Sequence, residues 1–179
     1  MSKIKLEFEK LHILRSKERW NLYFVIVTDH PTDADKMVIA TMPDPHIRIK
    51  PNQSNIINFE PESGVGADGF SVLEREMPTD RRIRVRVYLR HSREVTRDLG
   101  KILTDIKTEL GDEAFNLTGN ILGAAGAWLE ISKNSFPIIG HILMKIKDRD
   151  FGMVCMDEDF SSEFENQTEL DRDNKFTSG

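Results

Sequence analysis

Residues 81–91 read Arg81-Arg-Ile-Arg-Val-Arg-Val-Tyr-Leu-Arg-His91, and this stretch decides the fold. Ile83, Val85, Val87 and Leu89 alternate with Arg82, Arg84, Arg86 and Arg90. That is the period of a half-buried strand, with one face in an apolar core and the other carrying guanidinium groups. Such groups repel one another along one strand face unless they are paired. Unpaired, they attract phosphates or an acidic protein surface. The plainer alternative is cross-strand pairing, for which Glu7, Glu9 and Glu74 are the candidates.

Outward from this strand the N-terminal half reads as further short strands. Ile4, Leu6 and Phe8 alternate with Lys5, Glu7 and Glu9, which predicts a strand near a sheet edge over residues 4–13. Residues 20–28 are almost continuously apolar and β-branched, the mark of a deeply buried strand. The polar loop Asp29-His-Pro-Thr-Asp-Ala-Asp35 ends it. Residues 37–41 and 46–50 read as two short strands around the turn Met42-Pro-Asp-Pro45, and 55–59 and 70–74 as two more. Between the latter, Gly64-Val-Gly-Ala-Asp-Gly69 is a flexible connection, because a phosphate cradle would need a following Lys-Ser/Thr and helix.

Beyond Ser92 the period changes. Val95, Leu99, Ile102, Leu103, Ile106 and Leu110 recur at helical spacing, with Gly111 as the terminating residue. Asp112 is the expected start of a second helix running to residue 131, whose Gly119, Gly123 and Gly126 imply close approach of a neighbour. Residues 139–147 then read as a strand, and 151–156 as its hairpin partner.

The chain of 179 residues is 39% hydrophobic and 31% charged, enough apolar surface for one core. A lone cysteine, Cys155, excludes an internal disulfide framework and suits a reducing, cytoplasmic setting; its apolar surroundings predict a buried, inert thiol. The first residues lack an apolar signal core, and no apolar run is long enough to span a membrane. From Asp157 to Gly179, eight acidic and two basic residues give a local net of −6, against −5 for the whole chain, which leaves +1 on Met1 to Met156. A near-neutral body with an acidic tail makes nucleic acid an unlikely partner.

Two segments resemble a known family. Val87-Tyr-Leu-Arg-His-Ser-Arg-Glu-Val-Thr-Arg-Asp-Leu-Gly-Lys101 resembles the C2-domain segment in which a strand ends in an aspartate loop and resumes at Ile/Leu-Gly-Lys. Trp128-Leu129 and Gly140-His-Ile-Leu-Met-Lys-Ile146 are similar to the Trp-x-x-Leu and Gly-x-Leu-x-Leu of the last C2 strands. The resemblance implies an α+β fold: a C2-like antiparallel β-sandwich with a helical hairpin inserted before the last strands. Its expected organisation is one domain over residues 1–160, with the helical insertion at about 92–131, and an acidic, flexible tail over 161–179. Where calcium-binding members place aspartates, this chain has Leu89, His91 and Arg97, so the resemblance implies a calcium-independent domain.

No catalytic set can be assembled from the sequence: the five histidines lack metal-ligand spacing, and His141 sits among apolar residues as a core residue. Asp29, Asp33 and Asp35 are the weak candidates for a metal site, and solvated turns are the commoner use of such residues. The sequence therefore predicts a non-enzymatic binding or assembly module, needing no cofactor. It would recognise a protein partner, or a second copy of itself, through Arg82, Arg84, Arg86, Arg90, Arg93 and Trp128. Calcium-independent attachment to an anionic phospholipid membrane is one alternative. A metal-dependent hydrolase built on the Asp29–Asp35 loop is the other.

Overall fold

A computed structural model describes residues 3–13, 18–52, 55–59, 70–94, 99–117, 128–161 and 172–177. The arginine stretch is strand β7 (Arg82–His91), and it lies inside an antiparallel six-stranded sheet. The other strands of that sheet are β3 (Trp20–Asp29), β4 (Lys36–Ile49), β8 (Ala114–Leu117), β9 (Trp128–Ser132) and β10 (Arg149–Asp159), in the spatial order β10-β7-β3-β4-β9-β8. Strands β1 (Lys3–Phe8) and β6 (Phe70–Glu76) form one separate ribbon, and β2 (Lys10–Ile13) and β5 (Asn55–Asn58) another. The helices are α1 (Leu99–Leu110) and α2 (Ile139–Lys145). The protein is thus a β-rich α+β fold.

The sheet is covered on both faces, which explains the continuous apolar run of β3. Leu22, Phe24 and Ile26 point to one face with Ile83, Val85, Val87 and Leu89 of β7, and meet Leu11, Ile13 and the half-buried Ile4, Leu6 and Phe8 of the ribbons. Tyr23, Val25 and Val27 point to the other, against Ile102, Leu103 and Ile106 of α1 and Ile142 and Leu143 of α2. Helix α1 lies over β4, β9 and β8. That placement leaves the β7–β10 side of the same face to Arg84, Arg86, Cys155 and Asp157.

The helical reading of 99–110 agrees with the structure, and Gly111 ends α1 at φ +61°, a conformation that favours glycine. Three other readings are corrected. The described ends of the expected second helix are strands instead: β8 and β9 pair antiparallel, with Ala114 opposite Ile131 and Leu117 opposite Trp128. Pairing of β9 with Lys36–Ala40 of β4 supplies non-local hydrogen bonds that the local helical pattern could not reveal. Residues 139–147 are not a strand: Ile139, Ile142, Leu143 and Ile146 carry helical spacing and are buried, while His141 is exposed on α2. Cys155 is exposed on β10, opposite Arg86, rather than buried. Residues 4–13 split into β1 and β2, and 37–50 join into one strand. The segments 64–69, 95–98 and 118–127 lie outside the described residues, and so does most of the acidic tail.

The described end of that tail is docked. Thr177 pairs with Met153 by two backbone hydrogen bonds of 3.0 and 3.3 Å, and Phe176 stacks on Phe24 with centroids 6.1 Å apart. Gly152, at φ +126°, is required for this approach, because a Cβ there would stand 2.9 Å from the Thr177 backbone. Among the described residues no helix is long and apolar enough to cross a membrane.

Candidate functional site

At the end of the sheet where β3 stops and β7 starts, loops and strand ends enclose an open cleft of about 750 Å³. The loop 29–34 forms one wall, Arg75 and the turn 78–80 a second, and the starts of β7 and ends of β10 the floor. Two features that lie apart in the sequence, the arginine strand and the Asp29–Asp35 loop, meet here.

The arginines are paired, though not with the glutamates expected from sequence. Arg84 gives its backbone N–H to Asp29 Oδ2 at 2.8 Å and its guanidinium to Oδ1 at 3.0 Å. Arg86 forms a bidentate pair with Asp157 at 2.6 and 3.0 Å, and its guanidinium also lies 5.3 Å from the Phe136 ring. Arg82 donates to Asp159 at 2.9 Å. Register brings these groups to one face: β10 runs antiparallel to β7, so Asp159 falls directly opposite Arg82, and Asp157, opposite Arg84, reaches diagonally to Arg86. The alternation of Asp157 and Asp159 was the available signal; an acidic run near the end of the chain reads as solvated tail until its register is known. Exposure of the side chains falls along the row, from 70% at Arg82 to 39% at Arg84 and 16% at Arg86.

Arg90 and Trp128 lie elsewhere. Arg90 is 1% exposed and donates to the backbone oxygens of Ile146 and Asp148 at 3.3 and 2.8 Å, beneath the link from α2 to β10. Asp148, also buried, accepts the Tyr23 hydroxyl at 2.7 Å. Trp128 is 7% exposed and packs in the ribbon-side core, so neither residue contributes to a surface. Arg93 is exposed at the opposite end of the sheet from the cleft.

The loop 29–35 is shaped by its own polar groups. His30 Nδ1 accepts the backbone N–H of Asp33 at 3.0 Å and of Thr32 at 3.3 Å, and Nε2 lies 3.6 Å from the buried Glu130. Lys36 pairs with the same carboxylate at 2.6 Å, and this contact raises its pKa. Arg75, unremarked in the sequence, ties the loop down through the oxygens of His30 and Pro31 at 3.1 and 3.2 Å. With both Asp29 oxygens turned to Arg84 and Asp33 Oδ1 accepting the Asp35 N–H at 3.0 Å, these aspartates serve the loop and strand. The described residues hold no group of three or more His, Cys, Asp or Glu side chains able to share a metal ion.

The sign of the cleft is not that of an isolated arginine row. Asp29, Asp33, Asp80, Asp157, Glu158 and Asp159 line it against Arg75, Arg82, Arg84 and Lys133. Each of those cations already has an acceptor, Lys133 through the Ala34 oxygen at 2.9 Å. The lining alone thus carries six carboxylates against four cations, with Asp33, Asp157 and Glu158 paired at its margin with Lys36, Arg86 and Arg172.

Hydrogen bonds from Ser161, with Arg82 beside them, lower the Asp159 carboxyl to about 2, and Arg86 lowers that of Asp157. Asp33 is lowered chiefly by the Asp35 N–H. Depressed carboxylates contribute stability that is present above their ordinary value of 3.8 and is lost as pH falls through the folded value. The melting temperature should accordingly decline from about pH 4 to about pH 2. Asp157→Asn with Asp159→Asn should flatten that decline in a thermal series across those pH values, and an unchanged slope would show that these pairs contribute nothing.

No family model, curated protein or solved structure matches the chain.

Proposed function

We propose that the protein is a non-enzymatic binding or assembly module, built on a C2-like, calcium-independent β-sandwich, that recognises a protein partner at the cleft. The observation that carries this reading is the row of arginine–aspartate pairs along the cleft floor, ordered by strand register and open to solvent at Arg82 and Arg84. A surface of pre-set charges supports recognition, because little side-chain freedom remains to be lost on binding. The sandwich reading is supported by the two antiparallel ribbons layered on the large sheet. With six carboxylates against four cations in its lining, and Asp80 exposed among them, the cleft complements a cationic partner surface.

Oligolysine is a suitable probe. It should bind at low salt and be released at high salt, as exposed charges demand. Each exposed pair contributes up to about 1 kcal/mol, so Asp80→Asn with Glu158→Gln should weaken binding by roughly tenfold. Salt-insensitive binding, or affinity unchanged in the double variant, would remove the cleft from consideration.

A further inference from the structure

The end of the sheet opposite the cleft has the opposite charge. Register places Trp20 beside Ile49, Asn21 beside Arg48, and His91 beside Arg149, so all of these belong to the end where β3 and β10 begin and β4 and β7 stop. Arg19 precedes β3, Arg93 follows β7, and Lys147 precedes β10; the Arg93 N–H lies 3.4 Å from the neighbouring Asp148 carboxylate. Arg19, Arg48, Arg93, Lys147 and Arg149 are all exposed, and none makes an ion pair among the described residues. They outnumber the exposed Glu18, Glu94 and Asp150. Arg149 is positioned by aromatic packing: its guanidinium lies 5.2 Å from the Phe151 ring, which in turn sits 4.6 Å from Trp20.

These cations cannot reach the cleft of their own chain. Strand β7, of 10 residues, separates the two ends by about 33 Å at roughly 3.3 Å per residue, several times the ~8 Å Debye length at physiological salt. Resting on the reading of the cleft as a partner site, we propose that the partner is a second copy of this chain, docked head to tail. The basic end of one copy faces the carboxylates of the next copy's cleft. Asp80 and Glu158 are the receiving groups: Asp80 is exposed, accepts the Arg82 N–H and interacts with the Arg75 charge, and Glu158 meets Arg172 through two long contacts of 3.4 Å. Because two different surfaces meet, the contact does not close on itself and generates chains or rings rather than a symmetric dimer.

Sedimentation velocity on the full chain at low salt should show a mass that rises with concentration above the 20.6 kDa monomer and returns to it at high salt. Two neutralised variants test the geometry. Arg93→Gln with Lys147→Gln and Arg149→Gln removes the basic end; Asp80→Asn with Glu158→Gln removes the cleft's receiving groups. Each alone should remain a monomer, and their equimolar mixture should stop at a one-to-one dimer. A full chain that stays monomeric at low salt overturns the proposal, and so does association that survives in either variant or a mixture that forms no dimer. Salt-sensitive binding of a monomeric full chain to phosphatidylserine vesicles through the basic end also overturns it, in favour of a membrane role. Oligolysine binding to the variant lacking the basic end separates the two readings: if it persists without self-association, only the head-to-tail contact fails, and if it is absent, the cleft reading fails.

Discussion

Phe24→Ala should destabilise the protein by about 3–5 kcal/mol, the range for removing a buried phenylalanine ring. Phe24 is 1% exposed on the central strand β3, and rings from other elements converge on it, among them Phe8 of β1 at 5.1 Å, Phe59 at 6.2 Å and Phe176 of the docked tail at 6.1 Å. Each such ring pair is worth about 0.5–1.5 kcal/mol beyond area burial, and here the pairs join elements from both ends of the chain. Urea unfolding measures the loss, and limited trypsin digestion at Arg172 and Lys175 should show faster tail cleavage in the variant. A loss below about 1 kcal/mol would mean that the ribbons and tail can collapse into the space, contrary to a close-packed core.

Arg90→Met should cost about 2–4 kcal/mol, even though it places a long apolar side chain in a buried position. The decision rests on what is left behind. The backbone oxygens of Ile146 and Asp148 lose their guanidinium donor inside the fold, at about 1–3 kcal/mol for each unsatisfied group. The Asp148 carboxyl also stays buried with a cation removed from its neighbourhood. Against this stands the cost of burying Arg90 itself, whose Nε makes no hydrogen bond among the described residues. Two lost acceptor partners outweigh one relieved donor. Urea unfolding of Arg90→Met and Arg90→Lys tests this, with the lysine variant expected between the methionine variant and the native chain. If Arg90→Met matches the native chain in stability, the guanidinium is not what holds the link between α2 and β10.

The two faces of β7 show how far local pattern reaches. Ile83, Val85, Val87 and Leu89 are in the core, as their alternation requires, and the apolar run of β3 is buried on both faces. The arginines on the other face are chemically alike in sequence yet divide into exposed, half-buried and fully buried groups, because Phe136 lies against Arg86 and the link from α2 to β10 covers Arg90, while Arg82 stays open at the cleft. Helix α2 shows the opposite case: Ile139, Ile142, Leu143 and Ile146 carry the helical interval, but a Gly-His-Ile-Leu run satisfies a strand pattern equally well over so few residues, so the local pattern points to a strand.

The sequence by itself determined the alternation of β7, the burial of β3, the helix that ends at Gly111 and the class of chemistry at the surface, which is charge. Those properties depend on neighbours within a turn or a strand repeat. Tertiary structure decided the partners: Asp29 for Arg84, 55 positions away, and Asp157 for Arg86, 71 positions away. It also turned 128–132 into a strand by laying it beside β4, and placed the cleft and the basic end at opposite poles of one sheet. Coulomb interactions act through space and fade within several ångströms in salt water. Their sign at a site is therefore set by strand register and cannot be read along the chain.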